Sequence, residues 1–380
     1  MPVPRWPRDP LGFAIVALPL VLACGPTAQI ASIPPAPPVA AAPAPIDSAR
    51  AVPSAPSARP VDAPLQPPVT VKVGTVGSTS DAGLFIALDK GYFREQGIQI
   101  EFTQFQSAQQ MVAPLGTGQL DIGGGATSAG LINAVGLDIP IRIVADKGST
   151  PPGFGFQGIV LRNDLAGSFP GCPGFKGLRI GTSGITATFG PNLAHVLNDC
   201  NVAFSDVEQV EMPFGDMPTA LTNRSLDAAN ILEPALTSGL NAGLYTLWKR
   251  SDEFYPDAQI AVLLYAPHFI ANQRDVGQRF MVAYVQGLRD HWDAFTRGVN
   301  KAEVVDILAR HSTVKDPAMI EKMVPAGLNP DGYINMRTFS DDVEWWVNIG
   351  YVRARVDPAQ VVDNSFVDYA IDRLGRYQPR

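Results

Sequence analysis

The chain has 380 residues, enough for two domains with sizeable cores, and carries a net charge of −7 with only 17% charged residues. No basic cluster or aromatic-plus-arginine face stands out, which argues against nucleic acid as a partner. Three cysteines and four histidines are too few and too scattered for a zinc constellation, and His195, His268, His291 and His311 share no metal-ligand spacing, so no metal and no cofactor is expected.

Arg5 and Arg8 precede a short apolar run, Leu11–Leu22, that ends Val21-Leu22-Ala23-Cys24-Gly25. A basic start, a run too short to span a bilayer and a small residue before the cut are the features of a signal peptide. With cysteine at the cut, residues 1–24 resemble a bacterial lipoprotein signal, which implies lipidation of Cys24; Leu22 departs from the usual small residue two before the cysteine. A plain signal peptide with an incidental cysteine is the alternative. Residues 25–68 are dominated by Pro and Ala. They hold too few large apolar side chains for a core, so they read as an unfolded, extended spacer.

From Val69 the pattern is that of a globular domain. Val71–Val76 reads as a strand, Gly77–Ser80 as a polar loop, Leu84–Leu88 as a helix, Ile98–Phe105 as a strand and Met111–Leu115 as a helix. Gly118-Gln119-Leu120-Asp121-Ile122 then opens onto a loop, Gly123–Ser128. Strands alternating with helices imply βαβ units and a parallel sheet, with a ligand at the carboxyl ends of the strands. The loops there carry Ser78, Thr79 and Ser80, and Thr127 and Ser128, small hydroxyl residues whose backbone amides are expected to face a solute.

The run Gly83-Leu84-Phe85-Ile86-Ala87-Leu88-Asp89-Lys90-Gly91-Tyr92-Phe93, the following Gly97-Ile98 and Leu115-x-x-Gly118-x-Leu120-Asp121 resemble the opening of a known group. These are the substrate-binding proteins of ABC importers for nitrate, sulfonates, taurine, thiamine-precursor pyrimidines and riboflavin. The resemblance runs from about Val69 to the C-terminus; its motifs specify the family well and the ligand poorly. It implies an α/β, two-lobe periplasmic-binding-protein (type II) fold with a hinge and a helical C-terminal tail packed on the first lobe.

Ile139–Val144 reads as a further strand. Gly153, Gly155 and Gly158 spell the dinucleotide fingerprint, which needs to follow a strand and open a helix. Here it follows Pro151-Pro152 and leads into strand Gly158–Leu161, so a segment crossing between lobes is the better account. The first pattern then recurs. Leu178–Thr182 reads as a strand, followed by the loop Ser183–Thr188, a helix near Asn192–Leu197, strand Val207–Met212 and a helix from Asp216. Leu221-x-x-x-x-Leu226-Asp227 repeats the spacing of Leu115-x-x-x-x-Leu120-Asp121, and each leads into a strand and a turn. Two similar α/β lobes explain this economically, one of residues 69–153 with 260–380, the other of residues 154–259.

Cys172 lies before strand Leu178–Thr182, and Cys200 follows the helix that this strand feeds. A return helix brings its end beside the strand's start, so the two thiols are expected as neighbours and, outside the cytoplasm, as a disulfide. Ile260–Tyr265 reads as a returning strand. Val276, Phe280, Tyr284, Leu288, Trp292 and Phe295 then follow at helical spacing of core type. Helices follow at Val304–Leu308, from an Asp316 cap with Pro317 behind it, and through Phe339, Val343 and Trp346, with a last segment through Phe366 and Leu374.

No nucleophile elbow surrounds Ser128 or Ser183, and there is no HExxH, no P-loop lysine and no cysteine beside a histidine. The pyrimidine synthase of thiamine biosynthesis shares the fold, but its run of cysteines is missing here. The reading is therefore a non-enzymatic, lipid-anchored, extracytoplasmic binding protein. It would be a monomer that captures a small solute and delivers it to a permease and its ATPase. A receptor that presents the same lobes to a membrane sensor is the competing class. The residues expected at the ligand are Ser78, Thr79, Ser80, Thr127, Ser128, Thr182, Ser183 and Thr186, with Phe154, Phe156, Phe189 and Phe214 able to stack on a flat ring. Helix capping is the plain alternative for each hydroxyl. The resemblance adds Glu233 as an acidic residue facing the cleft. Lys147 and Arg274 are the nearest cations to these loops. A flat heteroaromatic such as a pyrimidine or flavin is favoured, with small sulfonates and nitrate next.

Overall fold

The structure, a computed structural model, describes residues 63–353 and 356–379. The signal segment, Cys24 and the spacer as far as residue 62 lie outside the described residues. The last few spacer residues are already fixed. The Leu65 amide donates to the Gln96 carbonyl at 3.1 Å, and the Leu65 side chain packs on the first core. Gly97, at φ +74°, admits that contact, since a Cβ there would stand 2.4 Å from the Leu65 nitrogen.

Among the described residues, ten strands form two five-stranded sheets. They are β1 (Val69–Thr75), β2 (Ile98–Gln104), β3 (Ile122–Ala126), β4 (Arg142–Ser149), β5 (Gln157–Leu161), β6 (Arg179–Thr182), β7 (Glu208–Glu211), β8 (Ala228–Leu232), β9 (Thr246–Arg250) and β10 (Gln259–Tyr265). The first sheet runs β2-β1-β3-β10-β4 and the second β7-β6-β8-β5-β9. In each, the first three strands are parallel, and the strand arriving from the other sheet joins antiparallel: β10 against β3 and β4, β5 against β8 and β9. The sheets are therefore mixed, where strand–helix alternation alone predicts parallel ones. Gly123–Gly125, read from sequence as loop, form the interior of β3 and pair with β10.

The repeated Leu-x-x-x-x-Leu-Asp motif has the same structural role in both lobes. Asp121 Oδ2 accepts from the Lys72 amide in β1 at 2.8 Å, and Asp227 Oδ2 accepts from the Arg179 amide in β6 at 3.0 Å. Each carboxylate ties the strand that follows it to that strand's parallel neighbour, β3 to β1 and β8 to β6.

Three passes of chain cross between the lobes side by side. The Ser149–Thr150 segment pairs with residues 257–259, with Asp257 N donating to Thr150 O at 2.9 Å and Thr150 N to Ala258 O at 3.2 Å. Ser149 also exchanges two backbone hydrogen bonds with Gly327, at 2.8 and 3.0 Å. A Cβ on Gly327 would stand 2.3 Å from Pro151 Cδ, so only glycine lets the third pass lie this close. Buried Asp146 braces the junction, accepting from Asn329 N (2.7 Å), Gln259 Nε2 (2.6 Å) and Gly148 N (3.0 Å).

The long helix Arg274–Arg297 packs its apolar stripe on the first lobe and carries the last helix, Ser365–Leu374. The tail is not confined to that lobe. Helix Met336–Asn348 lies against helix Ala129–Gly136 of the first lobe and helix Phe189–Asp199 of the second. Its Trp345 meets Phe204 edge-on at 5.1 Å, and the Tyr255 hydroxyl reaches Asp342 at 3.3 Å. A disulfide joins Cys172, where the chain approaches β6, to Cys200 at the end of the helix after it. Among the described residues no helix is long and apolar enough to cross a membrane.

Candidate functional site

A cavity of about 390 Å³ lies between the lobes. Three structural features shape its first-lobe wall. Ser78 and Ser80 stand on the one-turn helix Thr79–Asp81 after β1, held by mutual contact (Oγ to Oγ 2.8 Å) and by Asp81 Oδ2 accepting from the Ser78 amide at 2.9 Å. The segment Gln106–Gln109 after β2 forms a second side. It closes in because β3 is glycine at the contact, where a Cβ on Gly125 would stand 2.4 Å from Ala108 Cβ. The third feature is Lys147 of β4, whose stem passes Gly124. The second lobe contributes Phe156, Ser183, Phe189, Phe214 and Leu232. Phe189 and Phe214 meet edge-on with centroids 5.0 Å apart, leaving ring surface toward the cavity.

Lys147 is the sole charged residue among those lining the cavity, and its side chain is 1% exposed. Its ammonium donates to Ser80 Oγ at 2.9 Å and lies 2.9 Å from Asp81 Oδ1, an ion pair without hydrogen-bond alignment. The cavity therefore presents hydroxyls, amides and aromatic faces with its one cation already neutralised.

Of the residues expected at the ligand, Ser78, Ser80, Ser183, Phe156, Phe189 and Phe214 line the cavity. Thr79 sits between the two serines without lining it. Thr127 and Ser128 are buried behind its wall. Ser128 Oγ caps helix Ala129–Gly136 by accepting from Leu131 N at 3.3 Å, and the Ala129 amide is taken by the Thr186 carbonyl of the other lobe at 2.8 Å. That helix start meets protein from across the cleft rather than solute. Thr186 contributes its carbonyl to this contact and its side chain is exposed. Thr182 is fully buried one residue behind Ser183.

Phe154 lies away from the cavity, stacked on Trp292 at 5.1 Å. Glu233 also stands apart. Its carboxylate accepts from Thr237 N (2.9 Å) and Thr237 Oγ1 (2.8 Å), pairs with Arg250 at 3.2 Å and reaches Val324 N at 3.3 Å. It caps the helix Ala235–Asn241 and ties the C-terminal tail to the second lobe. Arg274 lies over Phe366 at 4.8 Å and donates to Ser365 at 2.7 Å.

Sequence reasoning missed Gln106–Gln109. The available signal was a polar run, Gln-Ser-Ala-Gln-Gln, between a strand and a helix, in the same place after β2 that Ser78–Ser80 holds after β1. From the sequence Lys147 is legible only as a nearby cation, because its partner Asp81 is distant along the chain. Among the described residues no group of His, Cys, Asp and Glu is arranged to hold a metal ion.

With two α/β lobes of this construction around a cleft, the molecule has the periplasmic-binding-protein fold. The family model for NMT1/THI5-like proteins matches residues 78–293, and the chain belongs to that family. A Brucella abortus (strain 2308) protein named for a proposed binding role is 25% identical over 325 residues, covering 79% of this chain and 91% of that one. Solved structures share the fold at low identity. The periplasmic nitrate-binding protein NrtA of Synechocystis PCC 6803 gives a TM-score of 0.63 at 16% identity, covering 83% of this chain and 90% of its own. The alkanesulfonate-binding protein SsuA of Xanthomonas axonopodis pv. citri gives 0.60 at 18%, covering 78% and 98%. The fold also serves catalysis: the desulfurization enzyme DSZB gives 0.58 at 14%, covering 80% and 99%.

Proposed function

We propose that this chain is the solute-binding component of an ABC importer. In this reading it closes its two lobes around a small, flat, uncharged heteroaromatic molecule of the pyrimidine or flavin kind and delivers it to a permease and its ATPase. The observation that carries the reading is the cleft cavity, about 390 Å³ and lined from both lobes, within the roughly 300–1,000 Å³ usual for small-molecule sites. Ligand favours closure because only the closed state offers contacts from both lobes. The aromatic surface of Phe156, Phe189 and Phe214 suits a ring. The Lys147–Asp81 pair leaves no net positive charge for a sulfonate or nitrate, the ligands named for the two binding-protein neighbours. Ser78, Ser80 and Ser183 supply hydrogen bonds at the ring's edge.

The sequence before the folded part completes the picture. Cys24 is the lipid-bearing residue, residues 25–68 are the spacer, and the protein works as a monomer on the outer face of a membrane. DSZB supports an enzymatic alternative at the level of fold, but both cysteines among the described residues are joined to each other.

Calorimetric titration of the purified full chain tests the reading. Thymine, cytosine and riboflavin are compared with taurine, methanesulfonate and nitrate, alongside mass spectrometry of whatever co-purifies. Binding of a neutral ring in preference to the anions is the expected result. Binding of the anions alone would reverse the ligand assignment, and turnover of a bound compound would reverse the non-enzymatic one.

A further inference from the structure

Behind the second-lobe wall of the cavity lies a set of polar side chains that the proposed function has not used. Gln157, Thr182, Asn192 and Asn230 are each 0% exposed. Both side-chain polar atoms of Gln157, Asn192 and Asn230, and the Thr182 hydroxyl, have no hydrogen-bond partner. Buried carboxamides are ordinarily paired, because desolvating a donor or acceptor without replacing its hydrogen bond is costly.

The four share one place in the fold. In the second sheet Gln157 stands opposite Leu232 and Ile159 opposite Asn230, so Gln157 and Asn230 lie on one face. Strand β6 runs parallel to β8 with Ile180 beside Ala228, which puts Thr182 on the same face at the carboxyl end. Helix Phe189–Asp199 covers that face: its Leu193, Val196 and Leu197 pack with Ile159, Ile180 and Ala228, and Asn192 precedes them in its first turns. Each polar residue also has a cavity-lining neighbour close by in sequence. These are Phe156 for Gln157, Ser183 for Thr182, Phe189 for Asn192 and Leu232 for Asn230. The polar set is thus within one to three residues, along the chain, of the cavity's second-lobe lining, without lining the cavity itself.

We propose that Gln157, Thr182, Asn192 and Asn230 form a hydrogen-bonding subsite at the inner end of the cavity. It would take the uncharged edge of the ligand that carries both a donor and an acceptor, such as the lactam or amino-imine edge of a heteroaromatic ring. This rests on the reading of the cleft as a ring-binding site and specifies which part of the ring is recognised. A carboxamide offers N–H and C=O side by side and pairs bidentately with such an edge. None of the four is ionised, so a charged ligand group would meet no countercharge there. A site built this way discriminates strongly, because a ligand lacking the matching groups leaves the buried amides unpaired.

The test uses apolar replacements of similar shape in the full chain, Gln157→Met and Asn230→Leu, with Thr182→Val as a milder third. Titration with thymine, cytosine and riboflavin is run on each, together with melting of the unliganded protein. The ring bound by the wild type should be held at least tenfold more weakly by each folded variant, while the unliganded melting temperature stays level or rises. A structural role moves the readouts the other way, with lower melting and unchanged affinity. Equal affinity in wild type and Thr182→Val, Gln157→Met and Asn230→Leu overturns the subsite and leaves the ring-binding cleft standing. A wild type that binds none of the three rings, or only taurine and methanesulfonate, overturns both.

Discussion

Lys147 Nζ lies 2.9 Å from Asp81 Oδ1, with the two side chains 1% and 0% exposed, and this pair sets the electrostatics of the cavity floor. Removing one partner of a buried pair leaves an uncompensated charge, at a cost of about 3–5 kcal/mol. Asp81→Asn should therefore destabilise the protein and leave a bare ammonium facing the cavity. Methanesulfonate should then raise the melting temperature of Asp81→Asn and not that of the wild type. The double variant Asp81→Asn with Lys147→Met should lose less stability in urea than the two single losses added. Strict additivity would show that the two groups do not act as a pair.

Ser128 and Ser183 separate capping from ligand contact. Ser128 caps helix Ala129–Gly136 behind the wall, whereas Ser183 lines the cavity. Ser128→Ala should cost about 1 kcal/mol of stability and leave the dissociation constant unchanged. Ser183→Ala should leave unliganded melting unchanged and weaken ligand binding by roughly two- to tenfold, the loss of one hydrogen bond. The opposite assignment of effects would place the solute against the start of that helix.

The sequence made the two-lobe architecture legible where local pattern is enough. Alternating apolar residues marked most strands, the spacing from Val276 to Phe295 marked the long helix, and Asp316 caps its helix as its position before Pro317 suggests, accepting from Ala318 N at 3.0 Å. The Leu-x-x-x-x-Leu-Asp repeat was visible without its reason, which is the paired bond to Lys72 and Arg179. Long-range pairing was not legible. Nothing local tells that β10 enters antiparallel, that Thr246–Arg250 is an edge strand, or that Asp81 meets Lys147. Glu233 shows the same limit. An acidic residue beside proline suits a cleft loop or a helix cap equally well, and only the positions of Thr237, Arg250 and Val324 decide for the cap.

The run ending at Cys24 lies outside the described residues and is open to direct test. Cys24→Ser should move the protein from the membrane fraction to the soluble extracytoplasmic fraction, since a lipid chain and not a spanning helix is the proposed anchor. A variant that still sediments with membranes would remove Cys24 from that role.

The Cys172–Cys200 bridge closes a loop with a sequence separation of 28. In the chain-entropy model such a crosslink contributes about 3–4 kcal/mol by restricting the unfolded chain. Unfolding in urea with and without a reducing agent should show a loss of unfolding free energy of that order, read as a lower midpoint. Non-reducing digestion should give one linked peptide pair, and free alkylation of both thiols in the native protein would rule the bridge out.

Two buried groups make opposite demands on pH. Burial pushes the Asp146 carboxyl up to about 6 from 3.8, against the hydrogen bonds it accepts from Asn329, Gln259 and Gly148. Burial pushes the His291 imidazole down to about 3 from 6.5. Between about pH 4 and 6 folded Asp146 holds a proton that the unfolded chain releases, so its contribution to stability is lost as pH rises through that window. From about 6.5 down to 3 the unfolded chain takes a proton on His291 that the folded protein refuses, so stability is lost as pH falls. Each slope approaches about 1.4 kcal/mol per pH unit, and between pH 4 and 6 they largely cancel. Variants should unmask them. With His291→Leu, stability should rise relative to wild type as pH falls from 6 to 4, and with Asp146→Asn it should fall more steeply over the same range. Free energies from urea unfolding at pH 4, 5, 6 and 7 would show three diverging curves. Three parallel curves would mean that neither group changes its protonation differently in the folded and unfolded chain.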